Sequence, residues 1–419
     1  MAEYRPASAR LATALRLGLD SIRAHKLRSF LTLLGVIIGV ASVVLVGAAI
    51  EGLGVYAQES TAKAFGTDSF LVAQIASAGR LTRKEFSEKL KRNKRIRAVD
   101  VDYLRITTGE QVLYSPYRQR TGDVKSGETL FEAASILGVS SSMPEIRDIT
   151  LTDGRFFTEY EDRTRQAVAV IGEDLRLAFF PGASPIGRKI KISGIDFTVI
   201  GVQEKLGSSF GRSQDNSVYI PEPVFTRLYG PGQSLAVFGR ARPASGLRLE
   251  EALDLSRAAL RIRFRARPGE SDNFDTLTPD SIRSFVDSIL GLISAVVVPV
   301  TLISLVVGGI VIMNIMLVSV TERTREIGVR KSLGARRADI LLQFLVEAVM
   351  MSAMGGLIGL LIGAALTQAL SRVFGVPLKV TLPYVLLSVF VSSAVGIVSG
   401  WYPASRASKL DPVEALRAE

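Results

Sequence analysis

The chain has 419 residues, 47% of them hydrophobic, and its mean hydropathy of +0.29 is high for a water-soluble protein. With no cysteine and a single histidine, His25, it has neither a disulfide framework nor a thiolate or histidine-cluster metal site. The formal charge of +11 does not point to nucleic acid, because residues 51–288 hold 34 basic and 31 acidic side chains and the remaining excess flanks apolar segments.

In chain order, Leu11–Arg28 spaces Leu11, Leu15, Leu19, Ile22 and Leu27 among arginines. This predicts an amphipathic helix within residues 1–29, lying on cytoplasmic headgroups or serving as the solvated start of the first span. Four uncharged runs stand out: Phe30–Ile50, Ile289–Val320, Ala348–Leu370 and Val380–Tyr402. Each is long enough to cross a hydrocarbon core of roughly 30 Å at about 1.5 Å per residue. In lipid the backbone must satisfy its own hydrogen bonds, so the runs are expected to be helices. The first run is too long, and begins too far from the N-terminus, for a cleavable signal, so it reads as a retained anchor.

The expected fold class is an α-helical membrane protein with four transmembrane helices and a large α+β extracytoplasmic domain inserted between helices 1 and 2. Spans are placed at 30–50, 289–320, 341–370 and 380–402, and the inserted domain at 51–288. A cytoplasmic loop at 321–340 and a cytoplasmic tail at 403–419 complete the order. Orientation follows from basic residues in the short segments. The N-terminal segment and the 321–340 loop have six each and the tail three, whereas the loop Ser371–Lys379 has two. Both termini therefore face the cytoplasm.

Within the inserted domain, Asp68–Ile75 reads as a strand and Thr82–Arg95 as a helix opened by a Thr82–Glu85 capping box. Val99–Thr107 and Gln111–Tyr117 read as strands, as does "RQAVAVIG", followed by a short helix at "EDLRLAFF". "RKIKISGIDFTVIGV" reads as a hairpin around Ser193-Gly194. "SVYIP" and Ser234–Arg240 carry further strand signals, Leu249–Leu260 is helical, and Ile262–Ala266 alternates apolar residues with arginines. The run Arg83–Arg97 has eight basic residues against two acids. It reads as a solvated face or as a contact for an adaptor protein or anionic headgroups.

Inside the spans, glycine recurs at four-residue spacing: Gly35 and Gly39; Gly355, Gly359 and Gly363; Gly396 and Gly400. Small residues so spaced let helix backbones approach closely. No charge lies within the four runs, which disfavours an ion-coupled pathway. Nor does the chain carry its own energy source. The nearest approach to a phosphate-binding loop, Gly182–Lys189 ("GASPIGRK"), has its lysine one place late and no hydroxyl residue after it. There is no G-x-S-x-G, and nothing singles out a catalytic carboxylate pair. The chain reads as a non-enzyme with no cofactor or metal of its own.

Between the second and third spans, Thr321–Ile340 holds nine charged residues. Its simplest reading is a positive topological anchor. Its internal order suggests more: Glu322, Glu326 and Arg330 share a helical face, Gly334 can end that helix, and a second helix begins near Ala335. Such a segment suits docking on a protein surface.

"MLVSVTERTREIGVRKSLGARRADILLQFLVEA" (Met316–Ala348) resembles the cytoplasmic loop of MacB-type ABC transporter permeases of the FtsX-like superfamily. "HKLRSFLTLLGVIIGVASVV" (His25–Val44), the tail "WYPASRASKLDPVEALRAE" and the stretch from Leu151 to Val202 are similar to the same family. The resemblance implies that the loop is a coupling helix received by an ABC ATPase. Its contact set would be Glu322, Arg323, Glu326, Ile327, Gly328, Arg330, Lys331, Gly334 and Ala335. ATP and Mg would be bound by the ATPase, expected as a separate subunit because no ATPase domain precedes the first span here. The resemblance further implies a permease dimer, a homodimer in preference to a heterodimer. It adds a periplasmic adaptor and outer-membrane channel as further partners and an inner-membrane location. The external domain would divide into a porter-like lobe (65–130 and 221–278) and an inserted lobe (131–220). The implied work is export or extraction of an amphiphilic, peptide, drug or lipoprotein substrate. The alternatives are an FtsX-like permease that regulates cell-wall hydrolases without transport, and a membrane-anchored receptor without an ATPase.

Overall fold

The computed structural model describes residues 26–209, 212–232, 234–374 and 376–417. The amphipathic segment expected before Lys26 lies outside these residues. The chain divides into two compact units, one of residues 57–286 and one of residues 1–56 with 287–419. The first described element, α1 (Lys26–Phe65), contains a stretch long and apolar enough to cross a membrane.

The 57–286 unit is built on a ten-stranded mixed sheet. Its elements are β1 (Ser69–Ala73), α2 (Arg83–Arg92), α3 (Ala98–Thr108), β2 (Val112–Ser126), β3 (Thr129–Val139), α4 (Met143–Arg147), β4 (Leu151–Gly154), α5 (Glu159–Arg163), β5 (Val168–Ile171), α6 (Glu173–Phe179), β6 (Lys189–Ile192) and β7 (Ile195–Gln203). After a small ribbon of β8 (Ser208–Ser209) and β9 (Arg212–Ser213) come β10 (Ser217–Pro221), α7 (Glu222–Tyr229), β11 (Ala236–Ala241), α8 (Leu249–Arg263) and β12 (Asp275–Leu277). The strand order is β12-β1-β11-β2-β3-β10-β5-β7-β4, and β6 bridges β2 and β7. The β3–β10 and β5–β7 pairs are parallel, and the other pairs of this sheet are antiparallel.

Local sequence explains several of these elements. Ser193 and Gly194, both at positive φ (+47° and +87°), make the two-residue turn that joins β6 to β7 with the twist of paired strands. Thr82 and Glu85 form a reciprocal capping box at the start of α2. The central strands β5 and β10 are buried at every position, as continuous apolar runs covered on both faces must be.

Residues 99–107 correct the sequence reading, being helical (α3) and not a strand. "VDVDYLRIT" alternates like a strand and is rich in β-branched residues, but its burial follows the helical period. Val101, Leu104 and Thr108 are buried, while Val99 is 56% and Ile106 81% exposed. Asp100 also accepts from the Arg97 N–H at 2.9 Å, closing the first turn. Packing against the sheet overrides local β-propensity here. Likewise α8 runs on through Arg263, so the apolar–arginine alternation that begins at Ile262 lies at a helix end.

The remaining elements are α9 (Pro279–Glu322), α10 (Thr324–Ser332), α11 (Arg337–Phe374), α12 (Leu382–Lys409) and α13 (Pro412–Arg417). α9, α11 and α12 each contain a membrane-length apolar stretch, which with α1 makes four such helices among the described residues. Glycines set their contacts. A Cβ on Gly35 would fall 2.6 Å from the Cα of Gly308, so α1 and α9 touch backbone to backbone, and Gly39 sits under Leu305. Gly355 meets Leu33 and Val36, Gly359 the carbonyl of Ile37, and Gly363 the carbonyl of Ala41, a ladder that seats α11 on α1. Gly396 and Gly400 lie against Val349, Ser352 and Ala348, which joins α12 to α11. In lipid there is no hydrophobic drive between helices, so this close packing supplies the attraction.

Candidate functional site

α10 lies between two of the membrane-length helices in the chain, within the charged segment Thr321–Ile340. Arg323 occupies the turn after α9, and the Ile327 N–H bonds back to the Arg323 carbonyl at 3.0 Å. At the other end Gly334 adopts φ +94°, a conformation that favours glycine, and the Gly334 and Ala335 N–H groups donate to Lys331 and Arg330 carbonyls at 3.0 Å. Asp339 then accepts from the Arg336 N–H at 3.2 Å as α11 begins.

The inner face of α10 is fastened to its surroundings. Ile327 is 1% exposed. Gly328 is buried against α13, where a Cβ would come within 2.9 Å of the Ala415 Cβ. α13 is itself capped by Asp411, whose Oδ1 accepts from the Val413 N–H at 2.8 Å, with Pro412 in the first turn. Lys331 Nζ donates to the Ser408 and Leu410 carbonyls at 2.7 and 2.6 Å, the orphan acceptors at the C-terminal end of α12. Partial burial pushes the Lys331 ammonium below its usual pKa, nearby Arg337 adds to this, and Asp411 opposes it. Arg323 reaches buried Glu347 on α11 at 3.4 Å, and Ala335 packs on the hydrophobic core of the helices.

The outer face is open. Glu322, Arg325, Glu326, Val329, Leu333 and Gly334 are all exposed, Leu333 at 82%. Arg330 is half-buried, pairs with Glu326 one turn back, and donates to Gln343 Oε1 at 2.7 Å. Arg325, Val329 and Leu333 recur every four residues and form a mixed apolar and charged row beside Glu326. The nine residues expected to act together therefore divide. Glu322, Glu326 and Gly334 face outward, Arg330 lies half-buried between the two faces, and Arg323, Ile327, Gly328, Lys331 and Ala335 hold the helix in place. Two groups escaped the sequence reading. Arg325, Val329 and Leu333 were legible as an i, i+4, i+8 row, whereas Glu347 lies one residue before the uncharged run and carries no signal of burial. Among the described residues no group of His, Cys, Asp or Glu is arranged to hold a metal ion.

The helices and the sheet unit each have a counterpart among known families. Residues 29–273 match the MacB-like periplasmic core domain, and residues 284–412, which include α10 and its surroundings, match the FtsX-like permease C-terminal region. The chain belongs to the MacB-type, FtsX-like family of ABC transporter permeases. The permease is 36% identical over 409 residues to the macrolide export ATP-binding/permease protein MacB of Bdellovibrio bacteriovorus, which covers 97% of this chain and 61% of that protein. It is 34% identical over 413 residues to the MacB protein of Neisseria gonorrhoeae, over 96% of this chain and 60% of that one. The permease thus spans about three fifths of the length of these relatives. Among solved structures, the periplasmic region of MacB from Actinobacillus actinomycetemcomitans aligns with 54% of this chain and 95% of that one, with a TM-score of 0.42 and 17% identity.

Proposed function

We propose that the permease converts ATP hydrolysis on a separate ABC ATPase subunit into movement of its extracytoplasmic domain, with α10 as the coupling helix. The observation that carries this reading is the two-sidedness of α10. Its inner face is tied to α11, α12 and α13 by burial, an ion pair and two lysine–carbonyl bonds, while its outer face is exposed and mixes Val329 and Leu333 with Arg325 and Glu326. A topological anchor has no need of the inner fastening. A lever does, because force on the outer face must reach the long helices without the short one sliding. α1 and α9 have 40 and 44 residues, about 60 and 66 Å of helix, roughly twice the hydrocarbon thickness. In this reading their outer parts are the stalks of the external domain.

The remaining parts of the reading follow the family. Residues 51–288 are extracytoplasmic, with a porter-like lobe (65–130 and 221–278) and an inserted lobe (131–220), and both termini are cytoplasmic in the inner membrane. ATP and Mg bind the ATPase, the permease pairs as a homodimer, and a periplasmic adaptor with an outer-membrane channel completes the assembly. The work is export or extraction of an amphiphilic, peptide, drug or lipoprotein substrate.

The test is co-expression with the cognate ABC ATPase, co-purification, and ATP hydrolysis in lipid for wild type, Glu326→Arg and Gly334→Leu. Both variants keep the loop positive, and the second places a side chain where φ is +94°. Loss of association or coupling in the variants is the expected result. Association and hydrolysis indifferent to both changes would reduce α10 to an anchor.

A further inference from the structure

The basic run that precedes α3 ends in a cavity. Five arginines from four separate segments line one open hollow of about 890 Å³ in the sheet-bearing unit: Arg95 and Arg97 before α3, Arg118 on β2, Arg165 after α5 and Arg227 on α7. One carboxylate, Glu222, lines the same space, and it lies 3.5 Å from Arg118 Nε. Among the described residues, Arg95, Arg97, Arg165 and Arg227 have no ion-pair partner, although Asp and Glu abound elsewhere in this unit and pair with other arginines. Arg118 is largely buried and donates through Nη1 to the Gly230 carbonyl at 3.0 Å, but its Nε makes no hydrogen bond. Arg165, at φ +57°, sits in the turn that ends α5, where the Arg165 and Gln166 N–H groups donate to the Asp162 and Glu161 carbonyls at 3.2 and 3.0 Å.

Unpaired cations gathered in one concavity repel one another, and folding alone gives no reason to converge them. A guanidinium presents a rigid fork of donors that matches the oxygens of phosphate two at a time. The hollow is far larger than a bare phosphate and falls within the size range of sites for whole small molecules. Exposed Val99 with Pro223 and Pro231 also gives it apolar wall.

We propose that this cavity binds a phosphate-bearing ligand through the arginines that line it. The site is independent of the coupling role of α10, and its test does not involve an ATPase. Two sources of the same chemistry are possible, a lipid headgroup and a soluble phosphate, and two probes separate them.

The full-length permease in neutral detergent is titrated by calorimetry with dihexanoyl phosphatidic acid and with inorganic pyrophosphate. Wild type is compared with Arg165→Glu/Arg227→Glu, both positions being exposed, and with Arg83→Glu/Lys84→Glu, which removes the same charge from α2 outside the cavity. Unchanged melting temperatures confirm that each variant is folded. The expected result is saturable binding of at least one probe by wild type and the α2 control, weakened at least about tenfold in the cavity variant. Phosphatidic acid binding far tighter than pyrophosphate assigns the site to a lipid headgroup, and the reverse order assigns it to a soluble phosphate. No saturable binding of either probe, or equal weakening in the cavity and α2 variants, overturns the proposal.

Discussion

Both carboxylate oxygens of Glu347 on α11 lie 3.4 Å from Nη1 of Arg323, the residue in the turn between α9 and α10. Glu347 is only 4% exposed, and a carboxylate so buried needs a facing partner such as Arg323. The pair fixes the start of α10 to the third long helix. Glu347→Ala should lower stability by about 1–2 kcal/mol because it removes the ion pair and leaves a space beside α11, and Glu347→Gln by less, since the amide fills the space and still accepts a hydrogen bond. Thermal unfolding in detergent measures both, and an alanine variant that melts with wild type would show that the pair contributes nothing.

The backbone contact between Gly35 and Gly308 leaves no space for any side chain. Gly35→Ala puts a methyl group 2.6 Å from a backbone carbon that cannot rotate away, so α1 and α9 must separate. The expected cost is about 1–3 kcal/mol. Gly291→Ala, on α9 with nothing within 4 Å of the new Cβ, should change stability by no more than about 0.5 kcal/mol. Equal melting of the two variants would mean that close approach at Gly35 does not hold these helices together.

The two faces of α10 should separate genetically. Val329→Asp with Leu333→Asp alters exposed positions and should leave melting unchanged while ATPase association is lost. Gly328→Val faces the opposite way, onto Ala415, and should loosen α13. Limited proteolysis of the C-terminal tail would detect this as faster cleavage with the ATPase absent. A tail equally protected in both variants would argue against the inner contact.

Adjacent acids in the sheet-bearing unit are pulled in opposite directions. Hydrogen bonds from Arg155 at 2.7 Å hold the Glu161 carboxyl down to about 2, with Thr158 assisting, whereas burial pushes Asp162 up to about 6. For Asp162 the folded state holds the proton more tightly than the unfolded chain, whose ordinary value is 3.8. Stability from this group is therefore present below pH 3.8 and is lost as pH rises through 6. Asp162→Asn should stabilise the protein by about 1 kcal/mol at pH 7, after allowance for solvent screening, and by little near pH 4. Melting curves at the two pH values test the sign, and a variant less stable at pH 7 would refute it.

Much of the local architecture was legible because its cause is local. The Thr82 capping box, the Ser193-Gly194 turn and the helix stop at Gly334 each depend on a few consecutive residues. The reading failed where distant contacts decide. Residues 99–107 have strand-like composition, yet the sheet surface beneath them rewards the i, i+3, i+7 face of Val101, Leu104 and Thr108. At the candidate site, the run of charges was plain, but not which of them point inward.

Hydropathy and charge by themselves determined that this protein has four membrane-length helices and a charged segment between two of them. The free energy of moving a side chain into lipid adds up along a run almost regardless of what lies beside it. Only the tertiary structure decided that Lys331 caps α12, that Glu347 has a partner, and that five arginines meet in one hollow. Those facts depend on groups far apart in the chain, and the short-range forces between them act only once folding has brought them within a few ångströms.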